Sequence, residues 1–283
     1  MCELFGMSAR FAATATLSME ELARHGGRTD RHRDGWGVAF FSGPDVHCVR
    51  EPCPAAESPA LRFMMSHAYR SRLVIAHIRL ATAGERALRN TQPFLRELGG
   101  RMHVFAHNGD LPGIREAFPA TGPYCPVGET DSEYAFCVLM DRMRELWAGC
   151  AADTPPLTER LAVVAELARA LRALGPANFL YSDGDVLFCH GDRRQHPGET
   201  VFRAPGLHLL ERRCRSGRGR LEMAALSLSS REANQRVALV ASVPLSDEPW
   251  VPLEAGELLV LRDGVVELRW MPEEWEVRHE CGA

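Results

Sequence analysis

The chain has 283 residues, 46% of them hydrophobic and 25% charged, which is enough to bury a substantial core. A net charge of −4 gives no long-range attraction to phosphate backbones or anionic membranes, so nucleic acid is not an expected partner. No apolar stretch approaches the ~20 residues that span a bilayer, and no basic segment leads into an apolar one at the start, so no membrane partner is expected and the expected location is cytoplasmic.

The first element carries the strongest chemical signal. In Met1-Cys2-Glu3-Leu4-Phe5-Gly6-Met7 a small residue follows the initiator methionine and opens an apolar run. Removal of Met1 by an aminopeptidase, which a small second side chain permits, would leave a thiol and a free α-amine on one residue. With a thiol pKa near ~8.5 and an α-amine near ~7.7–8.0, the amine can exchange a proton with the thiol directly or through one water. The nine cysteines are odd in number and scattered, without a C-x-x-C pair or a His/Cys cluster at zinc spacing. Neither a disulfide framework nor a metal is therefore expected, and Cys137 and Cys189, set in apolar runs, read as core positions.

A helix is expected over 18–25. Strands follow over 36–41, 73–78 and 102–107, and the last two run straight into polar clusters. Trp36 reads as packing, His77 and His107 as core histidines, and Gly35 and Gly37 as points of close backbone approach. Helices are expected over 131–147 and 155–174, the second with Thr154 as its N-cap and Gly175-Pro176 as its stop. Strands over 178–182 and 186–190 flank Asp183-Gly184-Asp185, a hairpin signal. Further strands are expected over 237–243, 258–262 and 265–270, with Asp263-Gly264 as a second hairpin turn. The basic run 212–220 reads as a solvated loop. Two helical stretches between two sets of strands, with no low-complexity linker, predict one α+β domain with layered sheets over 2–283.

Four polar clusters accompany the terminal cysteine: Arg79-Leu80-Ala81-Thr82-Ala83, Asn90-Thr91-Gln92-Pro93-Phe94, His107-Asn108-Gly109-Asp110 and Thr130-Asp131-Ser132-Glu133. With Met-Cys-Glu-Leu at the start and Asp34-Gly35-Trp36-Gly37, their order and spacing resemble the glutamine-hydrolysing domain of class II glutamine amidotransferases, members of the N-terminal nucleophile hydrolases. These motifs cover about the first half of the chain. The second half, through Ala241-Ser242-Val243-Pro244-Leu245 and Trp250, resembles the stand-alone, YafJ-like type more than the synthase-fused enzymes.

The resemblance implies a four-layer αββα sandwich whose first strand places Cys2 at the mouth of a cleft. It implies Cys2 as nucleophile, Asn108 and Gly109 as oxyanion hole, and Arg79, Thr82 and Asp131 as substrate-binding residues, with no cofactor. Each role is chemically reasonable unaided. A guanidinium grips a carboxylate bidentately, a carboxylate pairs with an ammonium, and glycine allows backbone to approach a reacting centre. Asn108-Gly109 is also a common hairpin-turn pair.

One departure is that Leu80-Ala81-Thr82-Ala83 stands where many members have Trp-Ala-Thr-His, which puts a local substrate contact in doubt. Another is that no acceptor domain follows, so ammonia would pass to a separate acceptor-domain protein or water would be the acceptor. Two alternatives remain open at this point: an amidohydrolase for another γ-glutamyl amide, related to the ergothioneine or glutathione pathways, and a non-catalytic γ-glutamyl sensor or partner protein.

Overall fold

A computed structural model describes residues 2–14, 33–67, 69–81, 84–119, 122–148, 154–214, 219–223, 226–230 and 234–272. The helix expected over 18–25 lies outside them. In chain order the first half contains β1 (Glu3–Ala13), β2 (Trp36–Ser42), β3 (Asp45–Glu51), α1 (Pro59–Ser66), β4 (Ser71–Ile78), β5 (Phe94–Leu98), β6 (Arg101–Gly109), the single turn α2 (Ile114–Ala117) and α3 (Asp131–Ala148). The second half contains α4 (Leu157–Leu174), β7 (Ala177–Ser182), β8 (Leu187–Gly191), β9 (Arg194–Gln195), β10 (Phe202–Arg203), β11 (His208–Cys214), β12 (Gly219–Met223), β13 (Leu226–Ser230), β14 (Gln235–Ala241), β15 (Val251–Pro252), β16 (Glu257–Arg262) and β17 (Val265–Trp270).

Two sheets face each other. One has the order β15-β11-β14-β1-β4-β2-β3 and the other β17-β16-β8-β7-β6-β5, while β9–β10 and β12–β13 form separate two-stranded ladders. The inner layer is apolar from both sides: Leu4, Ile75 and Val240 of the first sheet meet Val104, Leu180, Leu187 and Leu259 of the second. On the outer face of the second sheet, α3 and α4 lay Phe136, Leu139, Met140, Val164 and Leu171 over Phe105, Phe179 and Phe188. On the outer face of the first, α1 contributes Leu61 and Met64 to a cluster with Phe5, Met7, Trp36 and Val38. The result is the four-layer αββα sandwich of an α+β protein. It also explains the continuous apolar runs of β1 and β4, since strands covered on both faces have no polar side to present.

Several local expectations change in the structure. The turn that Asn108-Gly109 also allowed, beside their expected place at a strand end, does not form. Both residues continue β6, with Asn108 opposite Asn178 and Gly109 opposite Ala177. Thr154 is not the cap of α4: the helix starts at Leu157, and its N-cap position is Pro156, which has no capping side chain. Within the basic run, Arg212, Arg213 and Cys214 belong to β11 and pair with Val237, Arg236 and Gln235 of β14, and Arg212 forms an ion pair with Glu248.

The two hairpins form as expected. Asp263 and Gly264 take φ of 51° and 74° between the paired Arg262 and Val265, the left-handed pair that a two-residue turn requires. The other hairpin loop is fastened from below by a group that periodicity alone assigns to the apolar stripe. Arg160 of α4 is buried and donates to Asp183 at 2.5 Å and to Asp185 at 2.8 Å. No helix among the described residues is long and apolar enough to cross a membrane.

Candidate active site

The register of the first sheet brings the two ends of the polar constellation together. β1 and β4 are antiparallel with Glu3 opposite Ile78, so the residue before Glu3 lies level with the residues after Ile78. The Leu80 N–H accordingly donates to Cys2 Sγ at 3.2 Å, and Sγ lies 3.3 Å from the Leu80 carbonyl oxygen. Burial pushes the Cys2 thiol above its ordinary pKa. The Leu80 N–H and the Arg79 charge pull it back, and Asp131 pushes it up.

From the second sheet, β6 ends at the same point. Asn108 is 1% exposed and its Nδ2 donates to the Cys2 carbonyl at 2.5 Å. Its own carbonyl accepts from Asn178 Nδ2 at 3.1 Å, and the Asn178 amide also bonds Arg193 O and the Asp192 N–H, so the β8–β9 connection braces the strand end. Gly109 is required here by space: a Cβ at this position would stand 1.8 Å from the Pro176 carbonyl oxygen. Gly37 plays the same part on β2, where a Cβ would stand 2.3 Å from Gln92 O.

Arg79 is 3% exposed. Its Nη1 donates to Asp34 O at 3.4 Å and Glu85 O at 3.1 Å, and its Nη2 to Gly84 O at 3.2 Å, which fixes the guanidinium plane beside Cys2. Burial lowers its pKa, and the nearby Cys2 and Asp34 act in the opposite direction. Asp131 opens α3. Thr130 caps this helix by accepting the Glu133 N–H at 3.2 Å, and Asp131 Oδ2 accepts the Leu111 N–H at 2.7 Å just beyond β6. Cys2, Asn108, Arg79 and Asp131 thus converge at one end of the sandwich, with Gly109 next in the strand. Thr82 lies outside the described residues.

Three supporting roles escaped the reading of the sequence. Asn178 is one. Asn90, fully buried, is another: its Nδ2 donates to Glu85 O at 3.1 Å and its Oδ1 accepts the Glu129 N–H at 2.9 Å, tying the loop around Arg79 to the approach of α3. Ser242 is the third, exchanging bonds with Leu4: its Oγ accepts the Leu4 N–H at 3.0 Å, and its N–H donates to Leu4 O at 3.0 Å. Of these, Asn90 and Ser242 sit in stretches that the sequence marks out, though without these roles. Trp36 and His77 are buried as expected of core residues. Among the described residues no group of three or more His, Cys, Asp or Glu side chains is arranged to hold a metal ion.

Comparison with known proteins bears on the family and the fold. The model of the class II glutamine amidotransferases matches residues 1–281. YafJ of Escherichia coli (strain K12), whose description as a glutamine amidotransferase is itself an inference, is 35% identical over 91% of this chain and 96% of its own length. A Haemophilus influenzae protein with the same kind of description is 30% identical over 97% of this chain and 89% of its own. The crystal structure of a predicted glutamine amidotransferase from Pseudomonas aeruginosa superposes with a TM-score of 0.66 at 34% identity, covering 94% of this chain and all of that one. Glutamine phosphoribosylpyrophosphate amidotransferase from B. subtilis shares the fold at 16% identity, with a TM-score of 0.57 over 95% of this chain and 49% of that one. With nearly its whole length matched, the chain belongs to the class II glutamine amidotransferases.

Proposed function

We propose that this protein hydrolyses the side-chain amide of glutamine to glutamate and ammonia through a γ-glutamyl thioester on Cys2. The observation that carries the reading is the convergence of a half-buried thiol, a side-chain amide donor 2.5 Å from the same residue's carbonyl, a cation and a carboxylate at one end of the sandwich. In this reading Met1 is removed, residues 2–283 act as one catalytic domain, and the freed α-amine of Cys2 takes the thiol proton. The thiolate attacks the amide carbon. The second N–H of Asn108 Nδ2 and the Gly109 N–H hold the oxyanion, and the ammonium returns its proton to the departing ammonia. Water, deprotonated by the same amine, then attacks the thioester, releasing glutamate and restoring the thiol.

The substrate's two other charges find partners of opposite sign. Arg79 offers its guanidinium charge to the α-carboxylate and Asp131 a carboxylate to the α-ammonium, with Thr82 as a further substrate-binding residue. Ammonia is handed to a separate acceptor protein or lost to solvent. Steady-state kcat/KM on glutamine, glutathione and other γ-glutamyl amides tests the reading, because this ratio measures discrimination at the transition state. Glutamine should win by a large factor. A bulkier γ-glutamyl amide winning would replace this proposal with an amidohydrolase for that compound.

A further inference from the structure

His107 precedes Asn108 on β6, so the two side chains leave opposite faces of the strand. Asn108 turns to the nucleophile, and His107 turns to α3. The imidazole is 1% exposed and its Nδ1 lies 2.9 Å from Ser132 Oγ, itself on a residue only 5% exposed. Ser132 in turn contacts Asp131 twice: its N–H donates to Oδ1 at 2.7 Å, and its hydroxyl lies 3.3 Å from the same oxygen. Oδ2 is fixed independently by the Leu111 N–H at 2.7 Å. The backbone of His107 is equally constrained, its N–H donating to Gln92 Oε1 at 2.6 Å and its carbonyl accepting from Gln92 Nε2 at 3.1 Å.

These contacts form a connected path from the strand that carries the oxyanion donor to the carboxylate at the helix start. Burial pushes the His107 pKa down against the pull of Asp131, so the ring is neutral and adds no second charge to the site. A carboxylate that accepts on both oxygens loses most of its torsional freedom, and only a few directions remain in which it can receive a further donor.

We propose that Ser132, held in place by His107, is a positioning residue that aims the Asp131 carboxylate at the α-ammonium of the substrate. It rests on the reading of Asp131 given above. The His107–Ser132 contact then keeps the ammonium anchor on α3 at a fixed distance from Asn108 on β6, so the glutamyl group is measured between two elements joined by side chains as well as by the chain between them. Displacements of about 1 Å at such sites are costly, which gives the contact a role beyond packing.

The test is a double-mutant cycle on L-glutamine affinity in the Cys2→Ala protein, which binds without turnover, read by calorimetry. Ser132→Ala should weaken binding about tenfold when Asp131 is present, within the coupling typical of contacting groups, and scarcely at all when Asp131→Asn is already in place. Ser132→Thr, which keeps the hydroxyl, should restore the parent affinity. A loss that is equal in both backgrounds, or no loss, means that Ser132 does not act through Asp131 and overturns the proposal. If Asp131→Asn alone binds like the parent, the reading of Asp131 fails and the positioning role falls with it. His107→Asn in the same cycle supplies the answer should Ser132→Ala not fold.

Discussion

At Cys2 the sheet places a thiol where its proton has few destinations. Burial raises its pKa, so at neutral pH it rests protonated against the Leu80 backbone and needs a base within reach. On the proposed mechanism a free α-amine on the same residue would meet that need, which ties reactivity to removal of Met1. Asn108 offers a sharper quantitative handle. Loss of one preorganised oxyanion donor typically costs ~10²–10³ in kcat, so Asn108→Ala should lower kcat by that order while KM for glutamine moves little. Near-normal kcat would place the oxyanion elsewhere. Arg79→Lys keeps the charge and loses the planar fork that now spans Asp34 O, Gly84 O and Glu85 O. It should raise KM about tenfold or more with a smaller change in kcat, and an unchanged KM would remove Arg79 from substrate binding.

At the scale of elements, what the sequence shows depends on how much of each signal is local. β4, β6, α3 and α4 are legible because runs such as 73–76 are apolar throughout and because Gly175-Pro176 is a helix-stop signal. β3 is not. Asp45-Val46-His47-Cys48-Val49-Arg50-Glu51 is mixed because it sits at the sheet edge with most side chains partly exposed. β11 hides for a related reason, since Arg212 and Arg213 read as a basic loop until β14 provides the partner strand.

The same limit conceals Arg160, whose burial makes sense only once Asp183 is beside it. Side-chain exposures of 3% and 0% make this a buried ion pair, and removing one partner strands the other. Asp183→Ala should therefore cost about 3 kcal/mol in urea denaturation, the lower end of the range for broken buried pairs because Asp185 remains. A loss below about 1 kcal/mol would mean that the pair does not hold the hairpin to α4.

For the molecule as a whole, the site exists because two sheets end at one place. Cys2 and Arg79 come from the first sheet, Asn108 from the second, and Asp131 from the helix packed behind it. Sequence order displayed all four motifs, and the resemblance to class II amidotransferases related them to one another. No single-chain pattern could show that the Asn108 amide reaches the Cys2 carbonyl across 106 residues, because that distance is set by inter-sheet packing of residues such as Leu4, Val104 and Leu180. The supporting contacts of Asn178 and Ser242 stayed invisible for the same reason. The central claim is that Cys2, freed of Met1, is the nucleophile. Peptide mapping by mass spectrometry after treatment with an electrophilic diazo-ketone analogue of glutamine tests it most directly. The account predicts one adduct per chain, on a Cys2 with a free α-amine, and an adduct on another cysteine or equal labelling of the Met1-retaining form would contradict it.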